Sequence, residues 1–593
     1  MAIKSKLWIM TFEFGPAKLG GLGEVPTNQV KHLGDDLDIT VLMPAHGLIR
    51  GKNGGDFGSR KLDFDLRYMQ RFAGIVDDPA SRFLDGYPPE ARVTVSLHEL
   101  ALPGIKARVL AFAGGDDRTS RILEDPVIYS MAGLRAKIAV FSRALKEFMV
   151  QEAKAGNIPD VVHVHDYHAV PGLLGLRQEL IKRGTDVATI LTIHLLTGPK
   201  VTMEYLACCG VADTPLPCTI KGGRTESRIS DLLISCKYKL ERMAAYVADT
   251  VTSVSKTYLN ENVIPGCGGD LLDGKTDFIY NGCDWDHDEI VRGVWTANSS
   301  EYASFTGRKP KKPATRQELR RFLSTCKIGN LPASEPFIDD PELLKIIKEY
   351  DGIAPYTRDG RMTSFPEDGK LCLLTGRTSS QKGIDTLLDA VPRAIAEYPN
   401  LNFLLLNLPT QGEKALIKIY ADLAIKPDVR DHVRYVFGNA PSIFMLAHVA
   451  ADLYIGPSRW EPFGIMILEA NAVGLPAIGA RVGGIKETII DIRENDIQGT
   501  GLLVEKENPE ELAGAIVDMA RAIDACEAND PSIAVNILDS RLKRAVIKNP
   551  RLYEAMRVNA RARVENSFRW AQVSRKEIQL LQKAIATKNA RGK

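Results

Sequence analysis

The chain has 593 residues, 45% of them apolar and 25% charged, with a formal net charge of +2. That length exceeds one hydrophobic core, so two or more domains are expected. The near-neutral charge gives no electrostatic reason to expect nucleic acid or an acidic membrane as partner, and no run of about 18 apolar residues predicts a transmembrane helix.

The short apolar run Leu7 to Met10 is interrupted by Glu13 and lacks a small-residue cleavage site. It reads as a first strand, not as a signal peptide. Further strands are predicted over 37–43, 107–113, 161–165, 189–194, 250–254 and 278–280, with helical patterns such as 133–153 and 169–182 between them. The second half repeats the theme, with strands over 371–375, 402–406, 433–437, 453–455, 477–479 and 502–504. Such alternation predicts α/β architecture with parallel sheets, here as two doubly wound, Rossmann-like domains over 1–285 and 286–566. The basic, proline-rich 307–313 reads as an exposed linker. Segments 330–369 (a surface segment with one helical run, 341–350) and 529–552 read as insertions, and 567–593 as a final amphipathic helix with a frayed tail. The nine cysteines include no C-x-x-C pair, so free thiols in a reducing cytoplasm are expected; a local bridge among Cys208, Cys209 and Cys218 is the alternative.

Several loops carry candidate chemistry. After the first strand comes a glycine-rich turn with Lys18, Gly20 and Gly21, which either offers amides to an anion or only lets helix and strand pack. It is neither a G-x-G-x-x-G nor a Walker A loop. Residues 163–168 hold three histidines and Asp166, at a strand end. Hydrogen-bonded strand-end histidines are the favoured reading there over a metal site, although Asp166 remains a candidate for the ligand cleft. His194 ends another strand. Asp284-Trp285-Asp286 imitates an Asp-x-Asp metal motif but is read as a charged linker and helix start.

In the second half, Arg377 and Lys382 follow a strand and suit a diphosphate, one as a planar fork and the other as a compact charge. Glu461 and Glu469 stand at the start of a predicted helix and two turns along it, about 80° apart around its axis. They suit two parts of one long ligand. Gly483 and Gly484 precede another helix and form a backbone that can approach a phosphate.

Taken in order, Lys18-Leu19-Gly20-Gly21-Leu22, His163 to His168, Asn281-Gly282-Cys283-Asp284, Arg377 to Gly383 and Glu461-Pro462-Phe463-Gly464 resemble the motifs of the glycogen/starch synthase family, most closely its archaeal-type members. The resemblance spans nearly the whole chain outside the two insertions. It implies a GT-B fold, two Rossmann-like domains facing a deep interdomain cleft that holds the sugar donor. It implies transfer of glucose from ADP-glucose or UDP-glucose to the non-reducing end of an α-1,4-glucan such as glycogen, with retention, no cofactor and no essential metal. By the same resemblance Arg377 and Lys382 would hold the diphosphate, and Gly20 and Gly21 would give amides to its distal phosphate. Glu461 would bind glucose hydroxyls and His194 would support the transferring sugar. Asp166 and Asn281 would line the sugar pocket, with Lys18, Gly464, Gly483 and Gly484 also on the donor, and Glu469 would hold the ribose.

Phe463, Glu469 and Leu195-Leu196 depart from the bacterial members, which carry Cys, no acid and Asn-Leu there. The alternatives are transfer to a small acceptor, as in sucrose or trehalose synthesis, a metal-dependent hydrolase built on His163, His165, Asp166 and His168, and a non-catalytic glucan-binding protein. A cytoplasmic location is expected, and a homo-oligomer is compatible with the sequence.

Overall fold

The computed structural model describes residues 4–49, 58–75, 87–129, 132–338, 340–350, 362–409 and 413–590. The chain forms two compact units, Met1–Asn281 with Trp570–Lys593, and Gly282–Arg569.

The strands of the first unit are β1 (Lys6–Met10), β2 (Asp38–Pro44), β3 (Gly58–Arg71), β4 (Glu90–Ala101), β5 (Arg108–Gly114), β6 (Val161–His165), β7 (Ala188–Ile193), β8 (Pro215–Ile220), β9 (Gly223–Arg228), β10 (Thr250–Ser253) and β11 (Thr276–Phe278). Nine of them form one sheet in the order β11-β10-β7-β6-β1-β2-β5-β4-β3. From β11 to β5 the neighbours run parallel. β1 shows why. Leu7 and Ile9 enter the core on one face, and Trp8 and Met10 enter the core on the other. Adjacent side chains point to opposite faces, so a strand covered on both sides must be apolar throughout.

The edge is different. β3 and β4 pair antiparallel and extend the sheet beyond β5. Here Leu66, Tyr68 and Gln70 are buried while Arg67, Met69 and Arg71 are exposed. One face meets water, so these strands alternate instead of forming an apolar run. That is why the sequence reading placed no strand there. β8 and β9 form a separate antiparallel hairpin, also unforeseen, whose second strand is mostly exposed.

The second unit contains β12 (Lys370–Arg377), β13 (Leu401–Leu408), β14 (Val433–Phe437), β15 (Leu453–Gly456), β16 (Ala477–Ala480) and β17 (Gly501–Val504). Its parallel sheet has the order β14-β13-β12-β15-β16-β17. β12 splits its side chains as β1 does, with Cys372 and Leu374 in one core and Leu371 and Leu373 in the other.

Both segments read as insertions reach the core. The 330–369 segment is not wholly superficial, because Leu331, Leu343, Met362 and Phe365 are buried; its residues 339 and 351–361 lie outside the described residues. The 529–552 segment also contributes core, through Ala534, Ile537, Leu542, Ala545 and Val546. The C-terminal helix Trp570–Ala590 belongs to the first unit, where Leu581 and Ala584 join one core and Trp570, Val573 and Leu580 pack with Val25 and Ile279. All nine cysteines are free, including Cys208, Cys209 and Cys218. No described helix is long and apolar enough to cross a membrane.

Candidate functional site

In each sheet the strand order reverses beside the first strand. The chain leaves β1 for β2 on one side and returns as β6 on the other; in the second unit β13 and β15 flank β12 in the same way. Open α/β sheets bind ligands beyond the carboxyl ends of strands at such points. The loops that follow β1, β6, β12 and β15 hold Gly20, Asp166, Lys382 and Glu461.

In the first unit the glycine-rich turn leads into the helix Gly21–Leu33, with Gly20 as its N-cap. The amides of Leu19 and Gly20 donate to Glu13 Oε2 at 2.6 and 3.2 Å, and the Tyr129 hydroxyl donates to Glu13 Oε1. Gly20's amide thus serves a protein carboxylate here. Lys18 is partly exposed and pairs with Glu24. Glu13 was overlooked, although a carboxylate inside a glycine-rich turn was a readable signal.

Asp166 directly follows β6 with φ of +55°, a left-handed conformation that costs a non-glycine residue energy. Its Oδ1 accepts the amide of His194 at 2.7 Å, which ties the end of β6 to the end of β7. Burial pushes its carboxyl well above the usual range, against the pull of that amide. The loop after His194 is pinned as well. Leu196 N donates to the Tyr258 hydroxyl at 3.0 Å, and Thr197 and Gly198 donate to Glu241 Oε1 at 3.0 and 2.6 Å. Burial, with a smaller contribution from His163, pushes His194 down to about 3, so the ring is neutral at physiological pH. Asn281 is buried, at the end of this unit's first segment.

The histidines after Asp160 do not converge as metal ligands would. His163 Nδ1 meets Glu577 Oε1 at 2.9 Å, and its Nε2 meets Thr192 Oγ1 at 2.7 Å. His165 Nδ1 meets His194 Nε2 at 2.9 Å. His168 stacks against Phe12 and Tyr167. Among the described residues no group of three or more His, Cys, Asp or Glu side chains is arranged to hold a metal ion. Asp286 caps the helix His287–Thr306 through Glu289 N at 2.9 Å.

In the second unit Lys382 Nζ donates to Glu461 Oε2 at 2.7 Å, with both side chains largely buried. The loops reach each other because Gly383 stands at φ +62°, where a Cβ would lie 2.2 Å from Pro457 O. Arg459 locks them further. It donates to Ser380 O, Asp385 Oδ2 and Glu507 Oε1 at 2.7, 2.6 and 2.9 Å. This clamp, too, was missed, because nothing in the motif separates Arg459 from a solvated arginine. Arg377 is the half-buried last residue of β12, and no ion pair to it occurs among the described residues.

Gly483 and Gly484 stand close against the acidic loop. A Cβ on Gly483 would meet Glu461 O at 1.9 Å, and one on Gly484 would meet Phe463 Cα at 2.3 Å. The Gly484 amide donates to Glu461 O at 3.0 Å. The pair is the seat on which the acidic loop rests. Gly464, at φ +95°, is the N-cap of the helix Ile465–Ala472. Glu469 is half-buried on that helix, and its charge and that of Glu461 both act on the buried Tyr454 hydroxyl, so the two carboxylates share one neighbourhood.

Chemically, the second unit presents two cations and two carboxylates at its switch point. The first presents a neutral imidazole and tightly held loop amides at its own. This is polar machinery for an anionic, hydroxyl-rich ligand.

The sequence matches two family models, the starch synthase catalytic domain over residues 6–275 and glycosyl transferases group 1 over residues 358–522. The chain is 25% identical over 536 residues to a glycogen synthase of Bordetella petrii, covering 87% of this chain and 85% of that protein. It is 27% identical over 483 residues to a glycogen synthase of Ralstonia nicotianae, covering 74% of each. In fold it is similar to the catalytic domain of starch synthase IV from Arabidopsis thaliana, bound to ADP and acarbose, with a TM-score of 0.65 at 16% identity over 98% of this chain and 99% of that one. With two doubly wound units and both domain models in order, the chain belongs to the GT-B glycosyltransferases of the glycogen/starch synthase family.

Proposed function

We propose that this glycosyltransferase is a glycogen synthase, transferring glucose from ADP-glucose or UDP-glucose to the non-reducing end of an α-1,4-glucan with retention of configuration. The observation that carries the reading is the 2.7 Å contact between Lys382 and Glu461 at the β12–β15 switch point, with Arg377 at the end of β12. Breaking the anomeric bond leaves positive charge on the sugar and negative charge on the diphosphate. Lys382 and Arg377 stabilise the departing diphosphate, and a fixed donor of this kind contributes about 3 kcal/mol. Glu461 holds glucose hydroxyls and offsets the oxocarbenium-like charge. Because Lys382 touches Glu461, one side chain serves both ends of the bond that breaks.

In the first unit His194 donates a hydrogen bond to the transferring sugar. Its neutrality suits this role, since a cation there would oppose positive charge on the ring. Asp166 holds the backbone beneath His194, and Asn281 adds a sugar contact. Lys18 and the amide of Gly21 lie on the donor side, while Gly20 supports the turn through Glu13. Gly464, Gly483 and Gly484 shape the acidic loop, and Glu469 takes the ribose.

The test is product analysis with labelled ADP-glucose and UDP-glucose, each offered glycogen or free sugars. Label in linear α-1,4 extensions of glycogen is the expected result. Label confined to a disaccharide would replace the polymer reading with transfer to a small acceptor.

A further inference from the structure

The helix Trp570–Ala590 buries Trp570, Val573, Leu580, Leu581 and Ala584. Glu577 falls on the same stripe, four residues after Val573, and is fully buried. A carboxylate in an apolar stripe costs stability unless it is held by a partner. Its partner is His163, 414 residues earlier, at 2.9 Å. With the carboxylate oxygen accepting at this contact, the proton of the facing nitrogen stands on His163 Nδ1. His163 is held at its other nitrogen by Thr192, whose hydroxyl meets Thr252 Oγ1 at 2.7 Å.

The ring so fixed supports the next one. His163 and His165 share a face of β6, with centroids 4.2 Å apart. His165 Nδ1 meets His194 Nε2 at 2.9 Å, while His165 Nε2 is buried with no partner. An unmade N–H is rarer in a protein interior than an unmade acceptor. The proton of His165 is therefore on Nδ1, donated to His194, and His194 keeps its own proton on Nδ1.

We propose that Glu577 is a positioning residue for His194, acting through His163 and His165 to fix the ring and the nitrogen that carries its proton. It adds, from the C-terminal helix, a contact on the side-chain rings to the backbone bonds that pin the β6 and β7 loops. The proposal rests on the reading above that His194 contacts the transferring sugar.

Two measurements test it. In the full-length protein labelled with ¹⁵N-histidine, the ring spectra should place the proton of His163 and that of His194 on Nδ1. A proton on Nε2 of either ring overturns the proposal whatever the variants do. Among variants, Glu577→Met keeps the length and apolar packing of the side chain but removes the acceptor. Turnover should fall 5- to 20-fold with donor KM within twofold, and Glu577→Gln, which retains an acceptor, should recover to within threefold of the parent. Parent-like turnover in Glu577→Met, or an equal loss in Glu577→Gln that follows a lower Tm, overturns it. His194→Ala separates the layers. If His194→Ala is impaired while Glu577→Met is not, only the positioning role fails; if His194→Ala turns over normally, the sugar-contact reading fails and this proposal with it.

Discussion

At the scale of single residues, the second unit's switch point makes two cations distinguishable. Arg377→Ala and Lys382→Ala should each lower turnover by a factor of about 100, the cost of losing one good donor to a developing anion. They should differ in stability. Lys382 touches a largely buried carboxylate, so its removal strands Glu461 and lowers Tm, whereas Arg377 has no ion pair among the described residues and its loss leaves Tm nearly unchanged. Transfer rates and thermal melts on the same preparations check both halves; near-normal turnover in either variant contradicts the diphosphate assignment. In the first unit Glu13→Ala removes the acceptor of the Leu19 and Gly20 amides. The turn should loosen and donor KM rise about tenfold, the effect of about 1.4 kcal/mol, close to one net hydrogen bond. An unchanged KM in steady-state kinetics would show that the turn holds its shape without Glu13. These residues also mark how far the site could be read in advance. Lys18, Arg377, Lys382 and Glu461 stood out because charged groups at strand ends are unusual company for glycines, whereas Tyr129, Glu241 and Arg459 act through partners that no local spacing reveals.

At the scale of elements, the acidic loop is built against the turn that follows β16. Gly484→Ala would push a methyl group into the Phe463 backbone, 2.3 Å from Cα and 2.6 Å from the carbonyl oxygen. Backbone cannot move aside as a flexible side-chain end can, so the loop bearing Glu461 must shift. Both Tm and turnover should fall, by several degrees and at least tenfold. Gly514 provides the contrast. It lies inside the helix Pro509–Ala528, and a Cβ there meets nothing within 4 Å. Gly514→Ala should stabilise the protein by about 1 kcal/mol with unchanged turnover. A pair of melting curves decides the matter, since equal effects at the two glycines would mean that packing against the acidic loop is not what Gly484 provides. The same scale explains the missed strands. Residues 371–374 of β12 and 7–10 of β1 are continuously apolar because they are covered on both faces, while β3 alternates because one of its faces meets water.

At the scale of the whole molecule, the two units should respond differently to acid. In the first unit burial holds His46 and His165 well below the ordinary imidazole value of 6.5, and His168 and His194 at about 3. In the second unit burial pushes His448 down to about 4. Each ring is neutral when folded, yet takes a proton in the unfolded chain below pH 6.5. The unfolded state then binds more protons, so stability is full above pH 6.5 and is lost as pH falls toward the folded values. The loss approaches about 1.4 kcal/mol per pH unit for each ring. Asp166 and Glu241, raised by burial, gain protons in the folded first unit and offset part of it. The first unit should therefore lose stability faster between pH 6.5 and 5. Calorimetry across that range should resolve a transition of the first unit that moves down more steeply than that of the second; parallel movement would show that these buried rings do not govern the acid response.

What the sequence determined by itself was the periodic and the local. Continuous apolar runs announced parallel strands because a strand buried on both faces has no room for alternation, and the glycine, lysine and glutamate motifs fell at strand ends because open sheets place ligand loops there. What only the tertiary structure decided was which distant groups satisfy one another. Glu13 occupies the amide of Gly20, the glycine pair at 483 and 484 carries the backbone of the acidic loop, and Glu577 crosses 414 residues of chain to reach His163. A buried polar atom needs a partner whatever its distance along the sequence, and packing alone chooses which one arrives.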